Sequence, residues 1–145
     1  MVGACFLAAC LGCWGQGGGK ETIDIAQDDP EIHQARAQAR ATLSEFLAAL
    51  ANPAPDQSLF AVKARFAEGE VVECMWLTEV RVEGYEFVGK INNDPGLVQG
   101  VAMGDEHRVP INAIEDWMFV QGDQIVGAYS AEVVARRQND ETSQR

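Results

Sequence analysis

A chain of 145 residues is long enough for one domain plus a terminal extension, and 47% hydrophobic content with three tryptophans excludes global disorder. A net charge of -11, from 22 acids against 11 bases, argues against a nucleic-acid partner, which needs cations for phosphates, and against an anionic membrane surface. It is compatible with solubility alone and with a basic protein partner.

The opening "MVGACFLAACLGCWGQGGGKE" carries no charge before Lys20. Its apolar part, Met1 to Trp14, is shorter than the roughly 20 residues that span a bilayer, and has the length of a signal-peptide core. Leu7-Ala8-Ala9-Cys10 resembles the lipobox of bacterial lipoproteins. That resemblance implies cleavage before Cys10 and a lipid on its sulfur. The segment departs from the pattern in lacking a Lys or Arg before the apolar run. A buried apolar N-terminal strand or helix is the competing reading, and the Gly17-Gly18-Gly19 run favours a flexible tether instead. Residues 1–19 are therefore expected to be a leader and tether, placing the protein in the cell envelope or outside the cell. It would be cytoplasmic if the leader is not a signal. Any membrane contact would run through the anchor at Cys10. Cys13 and Cys74 could pair in an oxidising compartment, but a glycine tether gives them no fixed geometry.

Residues 20–138 read as one α+β domain. Between the tether and Asn52-Pro53 the pattern predicts a single long helix, capped by Asp28 or Asp29, with Pro30 in its first turn. Ile32, Ala35, Ala39, Leu43, Phe46, Leu47 and Leu50 form its apolar stripe, and His33 lies on its exposed flank. The period then changes to two. Phe60, Val62, Ala64 and Phe66 share a face of one strand. Val72, Cys74, Trp76, Thr78 and Val80 share a face of the next, expected to be the side that receives the helix. Phe87, Gly89 and Ile91 share a face of a third. Turns at Glu68-Gly69 and Glu83-Gly84 make these an antiparallel meander.

"NNDPG" is a loop, and "HRVPI" a short strand kept at an edge by Pro110. "NAIEDW" reads as a helical turn and "MFVQGDQIVGAY" as a hairpin around Gly122-Asp123. "SAEVVARR" predicts a short helix capped by Ser130. Residues 139–145 are expected to be a disordered tail.

The order of several short motifs resembles the YegJ-like bacterial family, domain of unknown function 2314. These are Phe60 to Phe66, then "ECMWL", "VGKINNDP", "MGDEHRVPINAIEDWMFV" and "IVGAYSAEVV", with "ARATLSEFLAAL" as the leading helix. Ser130 stands where the family commonly has threonine. The resemblance covers roughly residues 35–137. It implies fold and domain limits, and no catalytic residue comes with it.

Candidate chemistry concentrates between Gly104 and Val134. Glu115 and Asp116 are neighbours, so their side chains diverge, whereas a glycosidase holds two carboxylates about 5 to 9.5 Å apart across a substrate. The favoured reading is structural: Asp116 accepts from amides of the Gly104 or Asn92 loops while Trp117 packs inward. A hydrolase would use His107 with Glu115 or Asp116. Neither a nucleophile elbow, a metal-ligand spacing nor a phosphate loop is recognisable, so no cofactor or metal is expected. Trp76, Asn92, Pro95, Gly104, Asp105, Pro110, Asp116, Trp117, Gly127 and Tyr129 are the expected structural motif residues. The expected function is a non-enzymatic binding or accessory domain that meets partners through an acidic edge and the Asn92–Pro95 and Gly104–Pro110 loops. A toxin-neutralising immunity role is a further alternative, since an acidic surface suits a basic partner.

Overall fold

The structure is a computed structural model that describes residues 29–144. The leader, Cys10 and the alternative cap Asp28 lie outside the described residues. Two helices, α1 (Pro30–Ala41) and α2 (Leu43–Ala51), precede six strands. The strands are β1 (Gln57–Glu68), β2 (Val71–Glu83), β3 (Glu86–Ile91), β4 (Glu106–Pro110), β5 (Asp116–Gln121) and β6 (Gln124–Gly127). A 3₁₀ turn, Ile111–Ala113, joins β4 to β5, and α3 (Tyr129–Ser143) ends the fold.

Asp29 caps α1, its carboxylate accepting from the Glu31 amide at 2.8 Å. The expected single helix is two. Thr42 sits between them with its hydroxyl bonded to the Gln38 carbonyl at 2.8 Å and to the Tyr129 hydroxyl at 3.0 Å. A β-branched residue that bonds back to the preceding turn bends a helix. The bend lets α1 and α2 both follow the sheet.

The sheet has the order β4-β3-β2-β1-β5-β6, and every neighbouring pair is antiparallel. The chain builds β1 to β4 outward as a meander, then returns to place the β5–β6 hairpin against the free side of β1. Two bulges interrupt the ladders, one between Ser58 and Ala61 and one between Thr78 and Arg81. Each holds a left-handed residue, Leu59 (φ 55°) and Glu79 (φ 51°).

One face of β2 was misread, and the second bulge accounts for the position of Val80. Alternation placed Cys74, Trp76 and Val80 together towards the helix. In the structure Met75, Leu77 and Val80 belong to the main core with Val62, Phe66, Phe87 and Ile91, while Trp76 belongs to the opposite face. An extra residue at the bulge shifts parity, so Val80 joins Leu77 rather than Trp76. Ala39 and Phe46 bring α1 and α2 onto the main core. Phe46 meets Phe87 edge-on at 5.7 Å and Trp117 at 5.4 Å between ring centroids.

The last helix also differs from expectation. It starts at Tyr129, after Ala128 in a left-handed conformation, and continues to Ser143 through residues expected to be tail. Arg137 reaches from α3 to Asp29, with Nη1–Oδ2 2.5 Å and Nη2–Oδ1 2.8 Å. This two-pronged pair ties the two ends of the described chain together.

Candidate functional site

The densest convergence of buried polar groups lies where β5 begins and α3 begins. In register, Lys63 of β1 stands between Trp76 of β2 and Asp116 of β5. These three side chains share the face opposite α1 and α2. Asp116 is fully buried. Its Oδ1 accepts from the Trp117 amide at 2.9 Å and the Tyr129 amide at 3.2 Å. Its Oδ2 accepts from the Ser130 amide at 2.8 Å and the Ser130 hydroxyl at 2.6 Å. Lys63 Nζ donates to that hydroxyl oxygen at 3.2 Å and lies 5.8 Å from the Trp76 ring centroid.

The role of this carboxylate follows from the helix it faces. The first amides of α3 have no intrahelical acceptor and carry partial positive charge. Asp116, remote in sequence, supplies the acceptor that the residue before the helix, Ala128, cannot. Ser130 was the expected cap; it is instead a donor to the cap. The expected partners of Asp116 in the Gly104 and Asn92 loops are also replaced by these amides, because β5 lies three strands away from the Gly104 end of the sheet.

Electrostatics in this corner are set by desolvation. Burial pushes the Asp116 carboxyl above its ordinary range, against the pull of the Ser130 hydroxyl, Lys63 and the backbone amides. Burial likewise pushes Lys63 down, opposed by Cys74, Asp116 and Glu115. Glu115 pairs with Arg36 of α1, and Arg40 donates to the Ile114 carbonyl at 3.2 Å. Both ties hold α1 against the entry to β5.

Gly127 and Trp117 complete the corner. The Trp117 indole donates to the Ala39 carbonyl at 2.8 Å. Gly127 has φ +84°, and a Cβ there would meet the Trp117 carbonyl at 2.4 Å and its ring at 2.6 Å. Tyr129 meets the same indole edge-on at 5.7 Å. The structure therefore brings Asp116, Trp117, Gly127 and Tyr129 together, with Trp76 reached through Lys63.

The remaining motif residues form a second group at the far side of the sheet. The Asn92 amide donates to the Trp76 carbonyl at 2.9 Å, and the Trp76 amide donates to Asn93 Oδ1 at 2.6 Å. The Gly104 amide donates to the Ile91 carbonyl at 2.7 Å, while Asp105 Oδ2 closes a turn on the Ala102 amide at 2.8 Å. Pro110 ends β4 opposite Glu86. Pro95 leads into a segment gripped by two carboxylates. Glu73 accepts from the amides of Gly96, Leu97 and Val98 at 2.9–3.1 Å. Glu68 accepts from those of Gln99 and Gly100. Sequence reasoning gave Glu68 only a turn and Glu73 no role. Lys63, Asn93 and Arg36 were likewise not singled out, because nothing local marks the second sheet face as buried.

His107 does not meet either acid of the expected hydrolase pair. It lies on β4, its ring 4.3 Å from that of Phe66, and burial lowers its pKa. Four interstrand steps, about 19 Å, separate β4 from β5. No water-bridged acid–base pair reaches that far.

Among the described residues, no helix is long and apolar enough to cross a membrane.

Comparison with known proteins matches the sequence to a family. The model of an uncharacterized protein family conserved in bacteria, DUF2314, matches residues 29–145. The chain is 41% identical over 75 residues to uncharacterized protein YegJ of Escherichia coli, covering 52% of this chain and 49% of the relative. It is 31% identical over 74 residues to a putative ankyrin repeat protein of Neisseria meningitidis, covering 51% of this chain and 29% of the relative. The matches thus span half or less of each relative's length. No solved structure matches. With all its described residues inside the family match, this chain belongs to the DUF2314 family.

Proposed function

We propose that this domain is a non-enzymatic binding or accessory module of the bacterial cell envelope, anchored through a lipid on Cys10. The observation that supports it is how the buried acids are used. Asp116 spends its carboxylate on four donors of its own fold. Glu115 spends its own on Arg36. Neither is left to polarise a substrate.

The outward chemistry lies at the other end of the sheet. Backbone bonds of Ile91 with Gly104 and Asp105 hold the Asn92–Pro95 and Gly104–Pro110 loops side by side. There Asp94, Asp105, Glu106 and Met103 are exposed. An apolar side chain within an acidic rim suits a basic protein surface.

Mass spectrometry of the native protein tests the anchor: diacylglyceryl on Cys10 is expected. A photo-crosslinker at Met103 tests the surface, with one at His33 on α1 as the control. A discrete envelope adduct from Met103 alone is expected. An unprocessed N-terminus or identical patterns from both sites would overturn the proposal.

A further inference from the structure

β4 closes one side of the sheet, and among the described residues no strand pairs beyond it. Its backbone groups divide by parity. The Ile91 amide donates to the Asp105 carbonyl at 2.9 Å, and the Ile111 amide donates to the Tyr85 carbonyl at 2.9 Å. Odd-numbered residues therefore turn their backbone groups towards β3. The amides and carbonyls of Glu106 and Arg108, and the carbonyl of Pro110, point away from the sheet. An edge of this kind is a template for another strand. β6, the other outer strand, has only 4 residues and no charged side chain to fix a register.

We propose that β4 pairs antiparallel with β4 of a second copy of this chain, with Glu106 opposite Arg108 and His107 opposite its own counterpart. Charges and a proline on an edge ordinarily repel a second strand. Here the order acid, histidine, arginine matches itself when reversed. Hydrogen bonding across the edge requires even-numbered residues to face one another. Centring the pair on Glu106 sets carboxylate against carboxylate, and centring it on Arg108 sets guanidinium against guanidinium. Centring it on His107 gives both residues their opposites. Each Glu106 amide then donates to the facing Arg108 carbonyl, and each Arg108 amide to the facing Glu106 carbonyl.

The side chains continue rows already formed within the chain. Glu106 lies 3.2 Å from Arg81, and Arg108 lies 2.6 Å from Glu83. All four project from one face of the sheet, so the row runs Arg81, Glu106, then Arg108 and Glu83 of the second copy, and the sign alternates at every step. Half of each side chain stays in water, so the charges select the register while the backbone bonds hold the strands. A strand this short makes a small interface; the dimer is weak, and the dilute chain is a monomer. The paired residues exclude Asp94 and Met103, so the inference does not rest on the partner surface proposed above.

Sedimentation velocity of the full chain over a concentration series is expected to show reversible dimers. Arg108→Glu and Glu106→Arg each set like charges opposite one another, and each is expected to raise the dimer dissociation constant about tenfold or more, with unchanged circular dichroism. Mixing the two variants restores opposite charges at both cross-strand positions, so a heterodimer as tight as the wild-type dimer is expected. As a second readout, His107→Cys in a chain with its 4 native cysteines replaced by serine is expected to close an intermolecular disulfide under mild oxidation. Facing residues of a non-hydrogen-bonded pair bring their Cα atoms to about 4.5 Å, within disulfide reach. Tyr85→Cys, exposed at the turn between β2 and β3, is the control and is expected to stay reduced. Monomers at every concentration would overturn the proposal. So would dimers that both charge reversals leave intact, which assign the contact to another surface. A mixture that stays monomeric, or disulfides that form equally at positions 107 and 85, would overturn it as well.

Discussion

Two regions of this domain are built of opposite charges, and water separates their consequences. At the corner, Lys63, Asp116 and Ser130 lie in the interior, and each bond replaces solvation already lost. On the outer strands, Arg81 pairs with Glu83 and Glu106, and Arg108 with Glu83 and Glu86. These side chains keep about half of their surface in water. Exposed ion pairs contribute little and are screened by salt, whereas removing one partner of a buried set leaves the others uncompensated. Charge content is therefore a poor guide to which region defines the fold; burial decides it.

The comparison can be broken most sharply at Gly127. Gly127→Ala forces a Cβ into the Trp117 ring and carbonyl at a left-handed φ, so a loss of about 3–5 kcal/mol is expected by urea unfolding. A loss under 1 kcal/mol would show that the corner yields.

Next comes Asp116. Asp116→Asn keeps the shape but replaces an acceptor-only carboxylate with an amide that points donors at donors, beside a buried lysine. It is expected to cost about 2–4 kcal/mol. Asp116→Glu should cost nearly as much, since no room exists for a further methylene. Unchanged melting in both would remove the corner's structural role.

The smallest effect belongs to the outer strands. Arg108→Ala is expected to leave the melting temperature at neutral pH nearly unchanged and insensitive to 1 M salt. The Arg81 and Arg108 guanidiniums hold the Glu83 carboxyl below its ordinary range. A depressed carboxylate contributes stability above its unfolded pKa and loses it as pH falls. The difference between wild type and Arg108→Ala should therefore shrink below about pH 4.5. A difference that grows towards acid would reverse the assigned sign.

Much of the architecture was legible because it is written in local periods and turn residues. The α+β class, the β1–β3 meander, the edge strand ending at Pro110 and the hairpin at Gly122 all follow from alternation and left-handed glycines. The long helix was misread at Thr42, where the stripe continues but the backbone bends. The faces of β2 were misread because Met75 and Leu77 make its other side apolar too, and one bulge then moves Val80 to that side without any mark in composition. At the corner, Asp116 and Trp117 stood out for their residue types, while nothing local singled out Lys63.

What the amino-acid order determined by itself was the set of elements, since hydrophobic period, capping groups and turn glycines act over a few residues. Only the tertiary structure decided that β1 lies between β2 and β5, and so that Lys63 meets Asp116 and Asp116 meets the start of α3. Those contacts join residues 53 and 14 positions apart. Their free energy comes from shared burial, which no local pattern records.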